Sequence, residues 1–225
     1  MMFTQSYASG GVELKSADID VSDKASLQRG AKLFTDYCLS CHSAKFVRFN
    51  RVAEDLGLTE KQVMENLNHL GLKFGSTMTT TMTKEYAKKA FGAAPPDLSL
   101  VGRSRGEDWL FSYLLGFYED KSKPTGFNNT VFKDVGMPNV LWELQGTQLA
   151  TFDDHGKLTH MELKAGQQSA TEFESSVRDL VAFLSYIGEP RQLERKQIGI
   201  WVLIFLSIFF VVALAMKKDY WKDVH

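Results

Sequence analysis

The longest hydrophobic stretch of the chain lies near its carboxyl terminus. Residues 198–216 contain no charged side chain, and thirteen of them are Leu, Ile, Val or Phe. A helix rising about 1.5 Å per residue would span roughly 28 Å here, close to the hydrocarbon thickness of a bilayer. Trp201, Tyr220 and Trp221 stand where interfacial aromatic residues are usual. The pattern predicts a transmembrane helix, with a helix buried in a soluble core as the alternative.

Two amphipathic stretches at opposite ends of the remaining chain predict a pair of packed helices. The first begins at Ser22, and its apolar face is formed by Leu27, Gly30, Phe34, Tyr37, Cys38 and Cys41. The second has a capping box at Thr171 and Glu174 and ends at Gly188 and Pro190. Its apolar stripe is formed by Phe173, Val177, Leu180, Val181 and Leu184. Because Gly30 inside a helix costs about 1 kcal/mol relative to alanine, we expect it to permit close approach of another helix.

Shorter helices are predicted between these two. Thr59 and Gln62 form a capping box for a helix that reaches about Leu70. His69, near the end of that helix, is interpreted as a partner of the helix dipole rather than as a metal ligand. Another helix is predicted at about 84–91.

The pattern elsewhere indicates loops and one hairpin. The threonine-rich residues 76–83 are interpreted as a loop or a turn-rich connection. Residues 147–152 and 157–163 alternate weakly around 153–156, as in a small β-hairpin. His155 and His160 in this region are interpreted as surface residues.

The amino terminus allows two interpretations. Residues 1–9 lack both the basic region and the full apolar run of a signal peptide. They are either a signal-peptide remnant or a disordered tail.

Composition narrows the function without deciding it. A chain of 225 residues with 44% hydrophobic residues suits one domain with a sizeable core plus an appendage. The net charge of −1 gives no argument for a nucleic-acid partner or for a polybasic membrane patch.

The two cysteines of the chain fall in one motif, Cys38-Leu39-Ser40-Cys41-His42. This spacing is the signature of c-type haem attachment, in which both sulfurs bond the porphyrin and the histidine ligates the iron. A zinc site would need a second ligand pair, and no further cysteine exists. A redox dithiol remains the alternative, although a helical pattern rather than a strand leads into Cys38.

Pro95 and Pro96 predict a rigid extended segment. A haem-ligating histidine normally donates its other ring nitrogen to a fixed acceptor. We therefore expect a carbonyl of Pro95 or Pro96 to accept from His42, with a plain rigid loop as an equal alternative.

Methionine is the candidate for the second axial ligand. Met137 stands between Gly136 and Pro138, on a constrained turn after a long loop rich in glycine and asparagine. Met78 and Met82 are not excluded by spacing. Methionine paired with histidine raises the potential of haem iron.

These motifs in this order resemble the cytochrome c1 family, and the helix pair resembles class I cytochromes c in general. The resemblance rests on the haem motif, residues 94–99, 103–109, 126–130 and 140–146, and Met137 followed by proline. It implies that Arg105 binds a haem propionate and that Trp109 lies beside the haem. From the residues alone, Arg105 can equally be a surface charge and Trp109 a core residue.

The resemblance implies a mainly α fold, a class I cytochrome c-like haem domain with a small β-hairpin, followed by one C-terminal transmembrane helix. We expect the haem domain at 10–190, a linker at 191–197, the membrane helix at 198–216 and a tail at 217–225. Basic residues flank the helix on both sides and do not fix its orientation. Since haem c is attached on the outer side, the resemblance implies an inner-membrane protein with a periplasmic haem domain and a cytoplasmic tail.

The implied function is that of a one-electron carrier in ubiquinol–cytochrome c reductase, with one covalent haem c per chain and no independent catalytic site. The implied partners are cytochrome b, a Rieske iron–sulfur protein, a cytochrome c acceptor and membrane lipid, in a dimeric complex. Two other functions share the haem motif. One is an anchored cytochrome c module that feeds a terminal oxidase, and the other is a haem-based sensor or peroxidase with an open sixth position.

Overall fold

This computed structural model describes residues 13–154 and 158–223, and about half of these residues are helical. The helices are α1 (Lys24–Leu33), α2 (Phe49–Leu56), α3 (Glu60–Asn66), α4 (Lys84–Phe91), α5 (Val101–Arg105), α6 (Glu107–Leu115), α7 (Trp142–Gln145), α8 (Ala170–Gly188) and α9 (Gln192–Tyr220). The chain divides into two compact units, with the boundary after Gly188. The expected tail at 1–9 lies outside the described residues.

The packing of α1 on α8 confirms the predicted helix pair and the reason for Gly30. A Cβ atom at Gly30 would lie 2.0 Å from the carbonyl oxygen of Asp179 and 2.8 Å from Cβ of Phe183. The apolar stripe predicted for α8 is buried along its whole length. Glycine is therefore required here by the close approach of two backbones.

A buried carboxylate joins the same two helices. Asp179 on α8 accepts hydrogen bonds from Ser26 Oγ at 2.6 Å and from Arg29 Nε and Nη2 at 2.6 and 2.9 Å. This bidentate pair fixes the rotation of α1 against α8 as well as the distance between them.

The capping box at the start of α8 is formed by Ser169 and Glu172, so the predicted pair Thr171 and Glu174 was wrong. Ser169 N donates to Glu172 Oε2 at 2.8 Å, and Glu172 N donates to Ser169 Oγ at 3.3 Å. Glu174 instead forms an ion pair with Lys15 at 2.8 Å.

The capping box of α3 was predicted correctly. Gln62 N donates to Thr59 Oγ1 at 3.2 Å, and Thr59 N donates to Gln62 Oε1 at 2.9 Å. The helix ends before the predicted Leu70. His69 Nε2 lies 2.7 Å from Asp36 Oδ1, so its partner is a carboxylate and not the end of the helix.

The described residues of the first unit contain three antiparallel strand pairs: β1 (Ala44–Arg48) with β2 (Thr77–Met78), β3 (Phe117–Glu119) with β4 (Phe127–Asn129), and β5 (Gly146–Phe152) with β6 (Leu158–Ala165). The last pair is the predicted hairpin. β2 and β4 lie in segments that were interpreted as loops. His160 is exposed as expected, and His155 lies outside the described residues.

The second unit consists mainly of α9. Its 29 residues include an apolar stretch with a mean hydropathy of 2.9. Among the helices of the described chain, α9 is the one that is long and apolar enough to cross a membrane. From Gln192 onward the expected linker at 191–197 is helical and continues directly into residues 198–216. The expected domain limits otherwise stay predictions.

Candidate functional site

The cysteine motif begins where α1 changes its winding. Residues Phe34–Cys38 form a π-helical turn, in which Leu39 N donates to Phe34 O at 2.9 Å. Cys41 N and His42 N then donate to the single carbonyl oxygen of Cys38, at 3.0 and 2.7 Å. Wider winding followed by this tight turn brings two sulfurs and one imidazole together within five residues of the chain. Such π-turns inside helices occur frequently at functional sites.

The predicted acceptor for His42 is present at the second of the two prolines. His42 Nδ1 lies 2.8 Å from the carbonyl oxygen of Pro96. A carbonyl can only accept, so Nδ1 carries the proton and Nε2 keeps a free lone pair for a metal. Pro95 precedes this residue, is half-buried, and holds the segment extended.

The segment after Pro96 is fastened along the segment after the motif by further hydrogen bonds. Leu98 N donates to Ser43 O at 2.7 Å, and Phe46 N donates to Ser99 Oγ at 3.1 Å. The carbonyl of Pro96 is therefore held in register with His42 by contacts on its carboxyl side, which a mobile loop would lack.

Burial alters the acid–base chemistry of the motif. It raises the pKa of Cys38 to about 12, with a smaller contribution from Cys41. Burial also lowers the pKa of His42, against the opposing effect of the Pro96 carbonyl. A redox dithiol needs a thiol with a lowered pKa, so Cys38 has the wrong character for that alternative. His42 is neutral at neutral pH, as a metal ligand must be.

The other predicted residues form a second group, a stack of side chains that ends at Met137. The Arg105 guanidinium lies 4.9 Å above the Trp109 ring, and Trp109 stacks on Tyr113 with ring centres 4.9 Å apart. The Tyr113 hydroxyl donates to Met137 Sδ at 3.4 Å. The structure thus brings Arg105, Trp109 and Met137 together through a tyrosine that the sequence analysis missed. The donor and acceptor are 24 residues apart, and no local pattern connects them.

The other two candidate methionines differ from Met137 in their surroundings. Met78 is fully buried in the hydrophobic core, on the strand paired with Ala44. Met82 is half-buried, and its backbone N–H donates to Thr80 Oγ1 at 3.1 Å. Met137 alone among the three has its thioether in contact with the aromatic stack.

The donor set of the two groups fits haem c. It offers two thiols at attachment spacing, an imidazole whose Nε2 is free, a thioether and an arginine. Imidazole paired with thioether is a known axial set for haem iron. In the part of the chain that the structure describes, no cluster of three or more His, Cys, Asp or Glu side chains could hold a metal ion by itself.

Comparison with known proteins agrees with this chemistry. A sequence model of the cytochrome c1 family matches residues 16–224. The chain is 48% identical over 230 residues to a cytochrome c1 of Allochromatium vinosum, covering 99% of this chain and 94% of that protein. It is 44% identical to a protein of Nitrosomonas europaea named ammonia monooxygenase gamma subunit, covering 95% and 90%. It is 27% identical to the cytochrome b/c1 of Bradyrhizobium diazoefficiens, covering 90% of this chain and 34% of that protein.

Proposed function

The chain belongs to the cytochrome c1 family, and we propose that it works as a membrane-anchored electron carrier in ubiquinol–cytochrome c reductase. It carries covalently bound haem c and serves beside cytochrome b as a subunit of that oxidoreductase complex. We infer further that it accepts electrons from a Rieske iron–sulfur protein and passes them to a cytochrome c. The contact that best supports this is the one between His42 Nδ1 and the Pro96 carbonyl, because it prepares Nε2 for the iron.

Each residue of the motif has a distinct role in this proposal. Cys38 and Cys41 would hold haem c through thioether bonds, and His42 would ligate its iron through Nε2. Pro96 holds the imidazole in one tautomer and orientation, and Pro95 keeps that carbonyl on a stiff segment. Haem c, when bound, supplies a one-electron couple between ferrous and ferric iron.

The second group of residues acts on the other ligand and on the haem edge. Met137 would supply the thioether ligand, which favours the reduced iron and a high potential. Arg105 binds a propionate, for which the guanidinium has the matching bidentate geometry, and Trp109 packs beside the haem. Carrying an electron requires no acid–base or nucleophilic group, and none is assigned a role.

The anchor serves association rather than chemistry. A tether keeps the haem domain at high local concentration near its membrane partners. We assign the haem domain to the periplasmic side and residues 217–225 to the cytoplasm, because haem c is attached outside the inner membrane. In sealed vesicles with the periplasmic face outward, protease should therefore leave that tail intact, and its cleavage would refute the orientation.

Purification of the tagged, full-length chain from detergent-solubilised membranes tests the assignment. We expect cytochrome b and a Rieske protein in the same dimeric complex, and reduction of haem c by a ubiquinol analogue. A copper-containing terminal oxidase in their place would support the anchored oxidase donor instead.

The axial ligand separates the proposal from a sensor or peroxidase. Met137→Leu should abolish the methionine–iron charge-transfer band and allow the reduced protein to bind carbon monoxide. Met82→Leu is the matched control and should keep the band. Ready binding of carbon monoxide by the unmodified protein would contradict the proposal.

A further inference from the structure

Tyr113 is the residue of the second group that has no role so far. Its ring lies between the stacked Trp109, at 4.9 Å, and Phe117, which meets it edge-on at 5.1 Å. Two aromatic neighbours restrict the ring and therefore restrict the direction of its hydroxyl. That hydroxyl donates to Met137 Sδ at 3.4 Å.

The loop that carries Met137 is also fastened to Tyr113 through the backbone. Asn129 Nδ2 donates to the Tyr113 carbonyl oxygen at 2.7 Å, and Asn129 Oδ1 accepts from Val131 N and Phe132 N at 2.9 and 3.1 Å. Asn129 is 2% exposed, so its side chain is buried. Tyr113 on α6 thus contacts both the loop, through its carbonyl oxygen, and the sulfur of Met137, through its hydroxyl.

We propose that Tyr113 is a positioning residue that sets the donor strength of the Met137 thioether toward haem iron. The inference rests on the proposed function, since it takes Met137 as the axial ligand. A thioether sulfur has two lone pairs, of which iron takes one and the Tyr113 hydroxyl can bind the other. The hydrogen bond withdraws electron density from sulfur, which weakens its bond to ferric iron more than to ferrous iron. The midpoint potential is raised as a result.

Tyr113→Phe tests this in the full-length holoprotein, because it removes the hydroxyl and keeps the ring between its aromatic neighbours. We expect the methionine–iron band to remain. At a fixed applied potential, the ratio of reduced to oxidised protein should fall by up to about fivefold, the effect of one ordinary hydrogen bond. Added imidazole should displace the thioether from the oxidised protein less readily, by a similar factor. The control Tyr118→Phe removes the hydroxyl of a buried tyrosine whose ring packs against Phe152, and it should change neither quantity.

A purely structural role for Tyr113 predicts the opposite imidazole result. If the hydroxyl only held the loop in place, its loss would loosen Met137, and imidazole would bind more tightly. That outcome, or an unchanged potential, overturns the inference. A fluorinated tyrosine at position 113 keeps the hydroxyl and makes it a stronger hydrogen-bond donor, so the midpoint potential should rise. A fall in the potential, or no change, would count against the inference even if Tyr113→Phe did not fold.

Failure of the inference can be told apart from failure of the proposed function. If Met137→Leu keeps the charge-transfer band, Met137 is not the ligand and both statements fall. If that variant loses the band while Tyr113→Phe changes neither potential nor imidazole affinity, only the role of Tyr113 is refuted.

Discussion

Replacement of Gly30 by alanine sets two opposing effects against each other at the crossing of α1 and α8. Alanine favours a helix over glycine by about 1 kcal/mol, which alone would stabilise α1. The added Cβ, however, would lie 2.0 Å from Asp179 O and 2.7 Å from its carbonyl carbon. These are backbone atoms of another helix and cannot rotate away, so the helices must separate by more than about 1 Å.

The size of the loss follows from what that separation disturbs. Overpacking a core costs about 1–3 kcal/mol, and the upper end applies where backbone must move. Separation also strains the bond from Ser26 to Asp179 and the contact between the Phe34 and Phe183 rings, whose centres are 5.6 Å apart. After the gain in helix propensity, we expect a net loss of about 2 kcal/mol. For a domain of this size the melting temperature should fall by about 4–8 °C.

Thermal unfolding of the holoprotein, followed by circular dichroism and haem absorbance, measures the effect. Gly75→Ala is the control, because a Cβ there meets open space, and it should leave the melting temperature unchanged or slightly raised. A Gly30→Ala protein that melts at or above the parent temperature would refute the close approach of α1 and α8.

Three further predictions concern charge and anchoring. Arg105→Gln should lower the midpoint potential, because a positive charge beside the haem disfavours ferric iron. Arg105→Lys keeps the charge and should lower the potential less. Equal effects of the two substitutions would show that the charge of Arg105 does not set the potential. The hydrogen bond from Ser169 N, and to a smaller extent the one from Ser169 Oγ, lowers the pKa of Glu172. The contribution of Glu172 to stability is therefore fully present above the ordinary glutamate pKa, and it is lost as the pH falls through the lower pKa of the folded state. Glu172→Gln keeps the cap but should flatten this acid limb in unfolding curves taken across pH, and an unaltered limb would refute the assignment. A chain that ends at Gly188 should remain soluble without detergent and keep its haem spectrum, whereas aggregation or loss of haem would show that the first unit does not fold alone.

Local patterns predicted the elements whose determinants are close in sequence. The capping box of Thr59 and Gln62 needs only four residues, and it forms as expected. At the start of α8, two overlapping pairs satisfy the same rule, Ser169 with Glu172 and Thr171 with Glu174. In the structure the Ser169 pair caps the helix, and Glu174 forms an ion pair with Lys15, which is 159 residues away in the sequence. Sequence alone could not decide between them.

Contacts between distant residues account for the remaining differences. His69 contacts Asp36, and β2 pairs with β1, through tertiary packing that has no periodic signal. The carbonyl of Pro96 was predictable because ligating histidines require an acceptor and prolines stiffen a segment. Tyr113 was not predictable, since its position within α6 resembles any aromatic core residue until Met137 is placed beside it.

Covalent attachment of haem to Cys38 and Cys41 is the claim on which the account depends. Acid–acetone extraction of the purified chain, followed by mass spectrometry of the protein, tests it most directly. We expect the pigment to stay with the protein and the mass to exceed that of the polypeptide by one haem, with Cys38→Ala and Cys41→Ala each removing one of the two thioether bonds. Pigment released into the acetone, or a polypeptide at its unmodified mass, would contradict the account.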